Sequence, residues 1–347
     1  MMGKLILEDG TTIEGKSFGQ EIDIPGEVVF ATGMTGYPQA FTDPSFAGQI
    51  LVLTYPIIGN YGVPDKTLWE SDKVQIAGLI VSQYIDTPSH FQSCQTLSQW
   101  LKSEYIPALE IADTRALAIK IRTKGALLGK IQFTKDVVFH DPNTDNLVAQ
   151  VSSKKIEELG NGKKTVILID CGAKRNIPRN LEKRGVRVKI VPWDYDPFGK
   201  SEKFDALVVS NGPGDPKMAT KTIATIKKAL DNKFPTLGIC LGHQLLALAA
   251  GGNTYKLKFG HRSQNQPCLL VNSKRCYITT QNHGFAVSND MPSGFEPWFI
   301  NANDNSNEGL RHTKLPIMSV QFHPEASPGP VDTEWIFDYF LEKAKVI

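Results

Sequence analysis

Between residues 165 and 250 the sequence alternates short apolar runs with amphipathic segments, and this alternation constrains the fold more than any other feature. Apolar runs lie at 166–169, 186–191 and 206–210, and segments with helical spacing lie at 176–184 and 219–230. Short buried strands that alternate with helices form a parallel sheet with helices on both faces. This part of the chain is therefore predicted to be an α/β domain with a mostly parallel sheet, which binds ligands at the carboxyl ends of its strands.

The alternation leads to the stretch Gly238-Ile-Cys240-Leu-Gly242, which reads as a strand, a sharp turn and a helix. Gly-x-Cys-x-Gly is the thiol counterpart of the nucleophile elbow, in which small neighbours permit a strained turn. A helix N-terminus beside the sulfur favours the thiolate, and the amide of Leu241 can face an oxyanion. Most free cysteines are small buried hydrophobes, but this context predicts that Cys240 is a nucleophile.

A second chemical group stands at the end of the last apolar run, where the sequence places His323-Pro-Glu325. In an extended segment, residues two apart point the same way, so Glu325 can orient His323 and stabilise its charge. Together with Cys240 these residues form a Cys–His–Glu set. Its members are far apart in sequence, as catalytic triads on open α/β sheets usually are.

Several motifs carry a resemblance to known families. The cysteine elbow with Gln244, the stretch Ser210-Asn-Gly-Pro-Gly-Asp-Pro216 and the His-Pro-Glu motif resemble triad-type glutamine amidotransferases. Further motifs resemble the small, glutamine-hydrolysing subunit of carbamoyl-phosphate synthase, and these are Gln281-Asn-His-Gly-Phe285, Lys258-Phe-Gly-His261, Asp170-Cys-Gly-Ala-Lys-Arg-Asn-Ile177, Met34-Thr-Gly-Tyr37 and Thr42-Asp-Pro-Ser45. The resemblance extends over essentially the whole chain.

The resemblance implies a function and a set of site residues. The Cys–His–Glu triad would hydrolyse glutamine through a γ-glutamyl thioester and deliver ammonia to a large, ATP-using synthetase subunit for carbamoyl phosphate synthesis, in pyrimidine and arginine biosynthesis. Eight residues would bind glutamine, namely Ser45, Gly212, Gly214, Leu241, Gln244, Asn282, Gly284 and Phe285. Ser45 lies in the first part of the chain, which would place the site near a domain interface. His283 is a weaker candidate for positioning the substrate.

The rest of the chain predicts two domains and a linker. Residues 1–140 read as a mixed β/α domain with an Asp9-Gly10 hairpin and an N-cap at Asp113, residues 141–164 as a polar linker, and residues 165–347 as the amidotransferase domain. Past Gly252 the pattern becomes strand-rich, and residues 335–343 read as a closing amphipathic helix. A length of 347 residues suits two domains.

Composition excludes other classes of protein. Charged residues make up 21% of the chain and the formal net charge is +2 with scattered basic residues, so neither disorder nor a nucleic-acid surface is predicted. No run of about twenty apolar residues and no secretory signal is present. Five cysteines without metal or redox spacing favour a reducing cytoplasm and predict no metal site. Gly162-Lys-Lys-Thr165 lacks the leading glycine of a phosphate loop, so no cofactor is expected on this chain.

Two alternatives stay open. One is an amidotransferase that serves another pathway, such as anthranilate or guanylate synthesis, against which the amino-terminal domain argues. The other is a catalytically silent regulatory subunit, against which the retained triad argues. The stretch Gly260-His-Arg262-Ser263-Gln264-Asn-Gln-Pro267 departs from the usual pattern of the family. This departure bears on partner contacts or turn geometry and leaves the triad unaffected.

Overall fold

The computed structural model describes residues 1–200 and 202–347, which group into two units. Unit 1 consists of Met1–Asp145 and Lys258–Ser263, and unit 2 of Asn146–Leu257 and Gln264–Ile347. The sequence pattern places 258–263 in the carboxyl-terminal domain, but the structure groups this segment with unit 1. Its backbone accepts hydrogen bonds there, from Ala126 N–H to Lys258 and from Thr32 N–H to Arg262.

Unit 1 is built on a closed barrel, whose described strands have the order β1-β2-β6-β5-β4-β3-β7. The strands are β1 (Met2–Leu7), β2 (Thr12–Ser17), β3 (Ile24–Ala31), β4 (Gln49–Leu53), β5 (Gly78–Val81), β6 (Ala108–Glu110) and β7 (Leu127–Gln132). The first two form the predicted hairpin, with Gly10 at a φ of 86° in its turn. Fully buried side chains such as Leu5, Val28 and Ile50 pack together in one core of this unit.

The helices of unit 1 are α1 (Tyr37–Phe41), α2 (Leu97–Ser103) and α3 (Thr114–Lys124). Asp113 caps α3 as predicted, because its carboxylate accepts the Ala116 N–H at 2.8 Å. A second core joins α1 and α2 to the barrel through buried aromatic residues that include Phe41, Trp69 and Trp100.

Unit 2 is built on a mixed sheet, whose described strands have the order β14-β13-β15-β16-β17-β12-β11-β9-β10-β8. The strands are β8 (Glu157–Leu159), β9 (Thr165–Asp170), β10 (Arg187–Pro192), β11 (Ala206–Val209), β12 (Thr236–Ile239), β13 (Thr254–Leu270), β14 (Cys276–Val287), β15 (Phe295–Asn301), β16 (Asn307–His312) and β17 (Ile317–Val320). Five neighbouring strands, in the order β10-β9-β11-β12-β17, are parallel. This confirms the parallel sheet predicted from the alternating part of the sequence, and the remaining strands pair antiparallel.

Helices cover both faces of this parallel run. They are α4 (Leu147–Val151), α5 (Asn176–Glu182), α6 (Thr220–Asp231), α7 (Leu241–Ala249) and α8 (Trp335–Lys343). Alternate residues of one strand face opposite helices, so Val166 packs with α5 and α8, whereas Ile167 packs with α6 and α7. This two-sided burial explains why the strands read as continuous apolar runs.

The polar stretch 141–164 contains α4 and β8 in addition to turns. Leu159 of β8 pairs with Val188 of β10 in an antiparallel arrangement. Glu157 and Glu158 are exposed at this edge of the sheet, and charged side chains are typical of edge strands because they discourage pairing with other chains. The composition therefore reads as a linker although the backbone extends the sheet. Among the described residues, no helix combines the length and apolar character needed to cross a membrane.

Candidate active site

Cys240 occupies a strained turn at the carboxyl end of β12. It is the residue between β12 and α7, and its backbone has φ 53° and ψ −101°. Residues other than glycine rarely adopt this conformation. Its N–H donates to the carbonyl of Val320 at the end of the parallel neighbour β17, at 2.8 Å. Leu241 begins α7, so its amide has no acceptor within the helix and is available to an oxyanion. The structure thus places Cys240 in the predicted turn between a strand and a helix, and Leu241 at the first position of that helix.

Close backbone contacts explain the two glycines that flank the nucleophile. A Cβ on Gly238 would lie 2.4 Å from the carbonyl oxygen of Gly242, and a Cβ on Gly242 would lie 2.2 Å from that of Val209. Both distances are shorter than any ordinary contact. The turn therefore needs glycine on each side so that α7 can pack directly on β11 and β12.

We expect Gly242→Ala to destabilise the chain by about 3 kcal/mol or more, because a backbone oxygen cannot move aside as a side chain can. Gly251→Ala is the matched control. Gly251 has a positive φ of 91°, and its Cβ would meet nothing within 4 Å, so only the backbone cost of about 1–2 kcal/mol applies. Thermal or urea unfolding compares the two variants. Equal losses would show that close packing at the elbow is not what requires glycine there.

The sulfur of Cys240 is buried between two polar groups. Its Sγ lies 3.7 Å from the main-chain oxygen of Asn282 on β14 and 3.7 Å from the side-chain nitrogen of Gln321. The side chain of Cys240 is 1% exposed. The sulfur is therefore held in a defined position, which is a condition for attack on a bound substrate.

His323 and Glu325 lie in the same buried region and contact each other directly. His323 Nδ1 and Glu325 Oε1 are 2.6 Å apart. Because an ionised carboxylate can only accept, Nδ1 carries the proton and Nε2 is the atom left to exchange protons with the sulfur. Within the described part of the chain, that Nε2 atom is buried and has no hydrogen-bond partner.

The surroundings raise the proton affinity of His323. Burial alone would lower the pKa of this histidine, but the charges of Glu325 and Cys240 raise it to about 10. The Glu325 charge therefore favours transfer of the thiol proton to His323, which can later donate it to a leaving group.

Lys174 is a member of this site that the sequence reasoning missed. Its ammonium lies 3.1 Å from Glu325 Oε1, and both side chains are at most 2% exposed. The ammonium also donates to the carbonyl of Ala326, and the backbone N–H of Lys174 donates to Asn211 Oδ1 at 3.0 Å. Burial alone would raise the pKa of Glu325, but Lys174 and His323 hold it at about 2. Glu325 is therefore a carboxylate held between two cationic partners.

Two glycines proposed to bind glutamine lie in the loop after β11, beside the elbow. A Cβ on Gly212 would lie 2.1 Å from the Cys171 carbonyl oxygen and 2.8 Å from the Leu241 side chain, and Gly214 has a φ of 81°. The Gly242 N–H donates to Ser210 at the start of this loop at 3.0 Å. The loop backbone thus approaches α7 as closely as glycine allows.

Of the five further predicted glutamine-binding residues, four belong to α7 or β14 and one, Ser45, belongs to unit 1. Gln244 Nε2 donates to the Phe285 carbonyl at 2.8 Å. Asn282 contacts the sulfur through its carbonyl, as described above, and Gly284 lies between Asn282 and Phe285, partly exposed. Ser45 belongs to unit 1, where it is buried in a turn and its N–H donates to Asp43 at 2.9 Å. A role of these residues in binding glutamine stays a prediction.

Two histidines near the motifs make structural contacts. His243 is fully buried, its Nδ1 lies 2.9 Å from Ser319 Oγ, and burial lowers its pKa to about 3. It is therefore a neutral core residue at physiological pH. His283 lies with Nδ1 2.8 Å from the Phe285 carbonyl and Nε2 3.2 Å from Gln281 Oε1. These contacts hold His283 in place beside Asn282, whose main-chain oxygen contacts the sulfur.

Comparison with known proteins identifies the family to which the chain belongs. The family model described as glutamine amidotransferase class-I matches residues 167–343, and that described as carbamoyl-phosphate synthase small chain, CPSase domain, matches residues 5–131. The chain belongs to the class-I glutamine amidotransferase family. Its amino-terminal part is the domain found in carbamoyl-phosphate synthase small chains.

Relatives of this glutamine amidotransferase are much longer proteins. It is 46% identical to mouse "Carbamoyl-phosphate synthase [ammonia], mitochondrial" and 47% identical to yeast "Multifunctional protein URA2", over 98% of its own length in both cases. It spans 24% and 17% of those two proteins. The solved structure of a putative GMP synthase component from Thermoplasma acidophilum is 25% identical, with a TM-score of 0.48, over 54% of this chain and 96% of that one.

Proposed function

We propose that this class-I glutamine amidotransferase hydrolyses glutamine to glutamate and ammonia, and that the ammonia serves carbamoyl phosphate synthesis by a large synthetase partner. The observation that carries the proposal is a cysteine at a strained elbow, in a buried region with a histidine that Glu325 orients and charges. The carbamoyl-phosphate synthase small-chain domain supports the choice of partner.

The proposed reaction uses covalent catalysis. His323 Nε2 takes the proton from Cys240, and the thiolate attacks the side-chain amide carbon of glutamine. The oxyanion that forms faces the Leu241 amide. His323 then gives its proton to the departing nitrogen, so that ammonia leaves and a γ-glutamyl thioester remains. Water, deprotonated by His323, attacks the thioester and releases glutamate.

The proposed synthetase partner consumes the ammonia that this site releases. Free ammonia is largely protonated near neutral pH and then lacks the lone pair that attacks an electrophile. A synthetase that takes ammonia directly from this site avoids that loss. We assign ATP and bicarbonate to the partner, and pyrimidine and arginine biosynthesis to the product. We also propose a cytoplasmic location, which the five free thiols support, although one relative carries "mitochondrial" in its name.

The main alternative is a silent domain, since the name of the mouse relative specifies ammonia. The Cys240–His323–Glu325 arrangement favours an active site over that alternative. An assay for glutamate released from glutamine by the purified chain tests the proposal. Release that a thiol-alkylating reagent abolishes supports it, and no release with or without the synthetase contradicts it.

We expect the isolated chain to hydrolyse glutamine slowly and the synthetase partner to raise the rate by about a hundredfold. The sulfur contacts the Asn282 oxygen, whereas His323 Nε2 has no hydrogen-bond partner among the described residues. A rearrangement of about 1 Å has this order of effect on rate, and the partner would select the competent arrangement. Glutaminase rates at saturating glutamine, with and without the synthetase, provide the measurement. A full rate in the isolated chain would contradict this form of control.

A further inference from the structure

The sulfur of Cys240 lies between one group that suits a thiol and one that suits a thiolate. The Asn282 main-chain oxygen can only accept, so at 3.7 Å it suits an S–H that donates to it. Gln321 Nε2, also at 3.7 Å, can only donate and therefore suits a sulfur anion. The protonation state of the sulfur decides which of the two contacts is favourable.

The hydrogen-bond network fixes the orientation of the Gln321 amide. Gln244 Nε2 donates to the Phe285 carbonyl, which cannot donate in return, so the nitrogen of Gln244 is identified by its partner. The same nitrogen lies 3.1 Å from the side-chain oxygen of Gln321, Oε1, and donates to it. The NH₂ group of Gln321 is consequently the part that faces the sulfur.

The Gln321 backbone and side chain are both held firmly. The residue is fully buried, and its N–H donates to the Glu308 carbonyl at 2.9 Å. It follows directly on β17 and stands two residues before His323. One short segment therefore delivers an amide donor and the proton acceptor to the same buried region.

We propose that Gln321 is a positioning residue that stabilises the thiolate of Cys240. When the thiol proton passes to His323 Nε2, the sulfur loses its S–H bond to Asn282 and gains a charge-assisted N–H contact from Gln321. The proton is conserved on His323, and no other bond changes. This inference rests on the proposed function for its catalytic meaning, but the contact itself concerns only the sulfur.

Other titratable groups lie in the same buried region as the sulfur. His323 and Glu325 come from the segment after β17, Lys174 from the loop before α5, and His243 from α7 itself. These groups are the same in every variant at position 321. A change confined to Gln321 therefore isolates the contribution of the amide.

The test compares Gln321→Met with Gln321→Glu in a full chain in which the exposed Cys94 and Cys276 are serine. Methionine has a side chain of similar volume but lacks both the oxygen that accepts from Gln244 and the NH₂ group that faces the sulfur. Glutamate keeps an oxygen for Gln244 but places a second oxygen, and no donor, against the sulfur. The rate of Cys240 alkylation by iodoacetamide as a function of pH reports the thiolate, with the modified residue identified by mass spectrometry and folding checked by thermal unfolding.

We expect the pH of half-maximal alkylation to rise by about one unit in Gln321→Met, equivalent to about a tenfold smaller thiolate population at a given pH, and by more in Gln321→Glu. The kcat for glutamine should fall about tenfold in Gln321→Met with KM unchanged. A wild-type alkylation profile in folded Gln321→Glu would overturn the inference, because it would mean that position 321 serves only to hold Gln244. Failure of the proposed function is distinguishable, since it would leave no glutaminase activity in the unsubstituted chain while alkylation still responds to position 321.

Discussion

Replacing Cys240 with alanine is expected to lower glutamine hydrolysis by at least about a thousandfold, because the covalent route disappears with the sulfur. In the complex with the synthetase, carbamoyl phosphate synthesis from glutamine should stop, whereas synthesis from added ammonia should continue. The reason is the division of labour, in which this chain only produces ammonia. Both rates are measured on the same reconstituted complex.

Cys171→Ala is a matched control for this variant. Cys171 is also a fully buried cysteine of unit 2, but its sulfur faces Thr222 Oγ1 at 3.7 Å. Burial raises the pKa of this thiol well above its usual range, so it is not a nucleophile. The control should keep most of the glutaminase activity. If Cys240→Ala also removed the ammonia-dependent reaction, Cys240 would be structural.

Separate substitutions of His323 and Glu325 are expected to affect catalytic activity and folding stability differently. His323→Asn should lower activity by about a thousandfold or more, because the group that moves protons is lost. Glu325→Gln should lower it less, because Glu325 only orients and stabilises His323. Glu325→Gln should, however, destabilise the fold by about 3 kcal/mol, since it leaves the buried ammonium of Lys174 without its anion.

The double variant Lys174→Met/Glu325→Gln tests this separation. Removing both charges should restore most of the stability, because neither partner is left buried and unpaired, while activity should stay low. The roles given to Glu325 would be contradicted if Glu325→Gln kept the stability of the unsubstituted chain and lost as much activity as His323→Asn.

The same ion pair predicts a pH dependence of stability. The pKa of Glu325 falls from an ordinary value of 4.5 to about 2 on folding. Its contribution is therefore present above pH 4.5 and is lost as the pH falls through about 2. The double variant should lose less stability over that acidic range than the unsubstituted chain, as urea unfolding at several pH values will show.

Local sequence patterns were sufficient to predict the parallel sheet, the elbow and the His-Pro-Glu motif. Each depends on neighbouring residues, such as the small side chains that permit the turn at Cys240. The helix predicted at 335–343 is present as α8, Trp335–Lys343. The strand-rich pattern past Gly252 did not show that β13 is one continuous strand, because its central residues, from His261 to Gln266, are polar.

Residues whose role depends on distant partners could not be found in this way. Lysine is almost never fully buried without a partner, and nothing next to Lys174 in the sequence indicates that Glu325 is its partner. The distance between them in the chain is bridged only when the loop after β9 meets the segment after β17. Gln321 could not be identified from the sequence either, since its contact with Cys240 exists only between neighbouring strands.

The central claim is that Cys240 forms a γ-glutamyl thioester during glutamine hydrolysis. The most direct measurement is acid quenching of the chain during steady turnover of isotopically labelled glutamine, followed by mass spectrometry of the peptide that contains Cys240. We predict a labelled glutamyl adduct on this cysteine, which disappears in Cys240→Ala and on treatment with hydroxylamine. Sustained glutamine hydrolysis by Cys240→Ala, or an adduct on another residue, would contradict the claim.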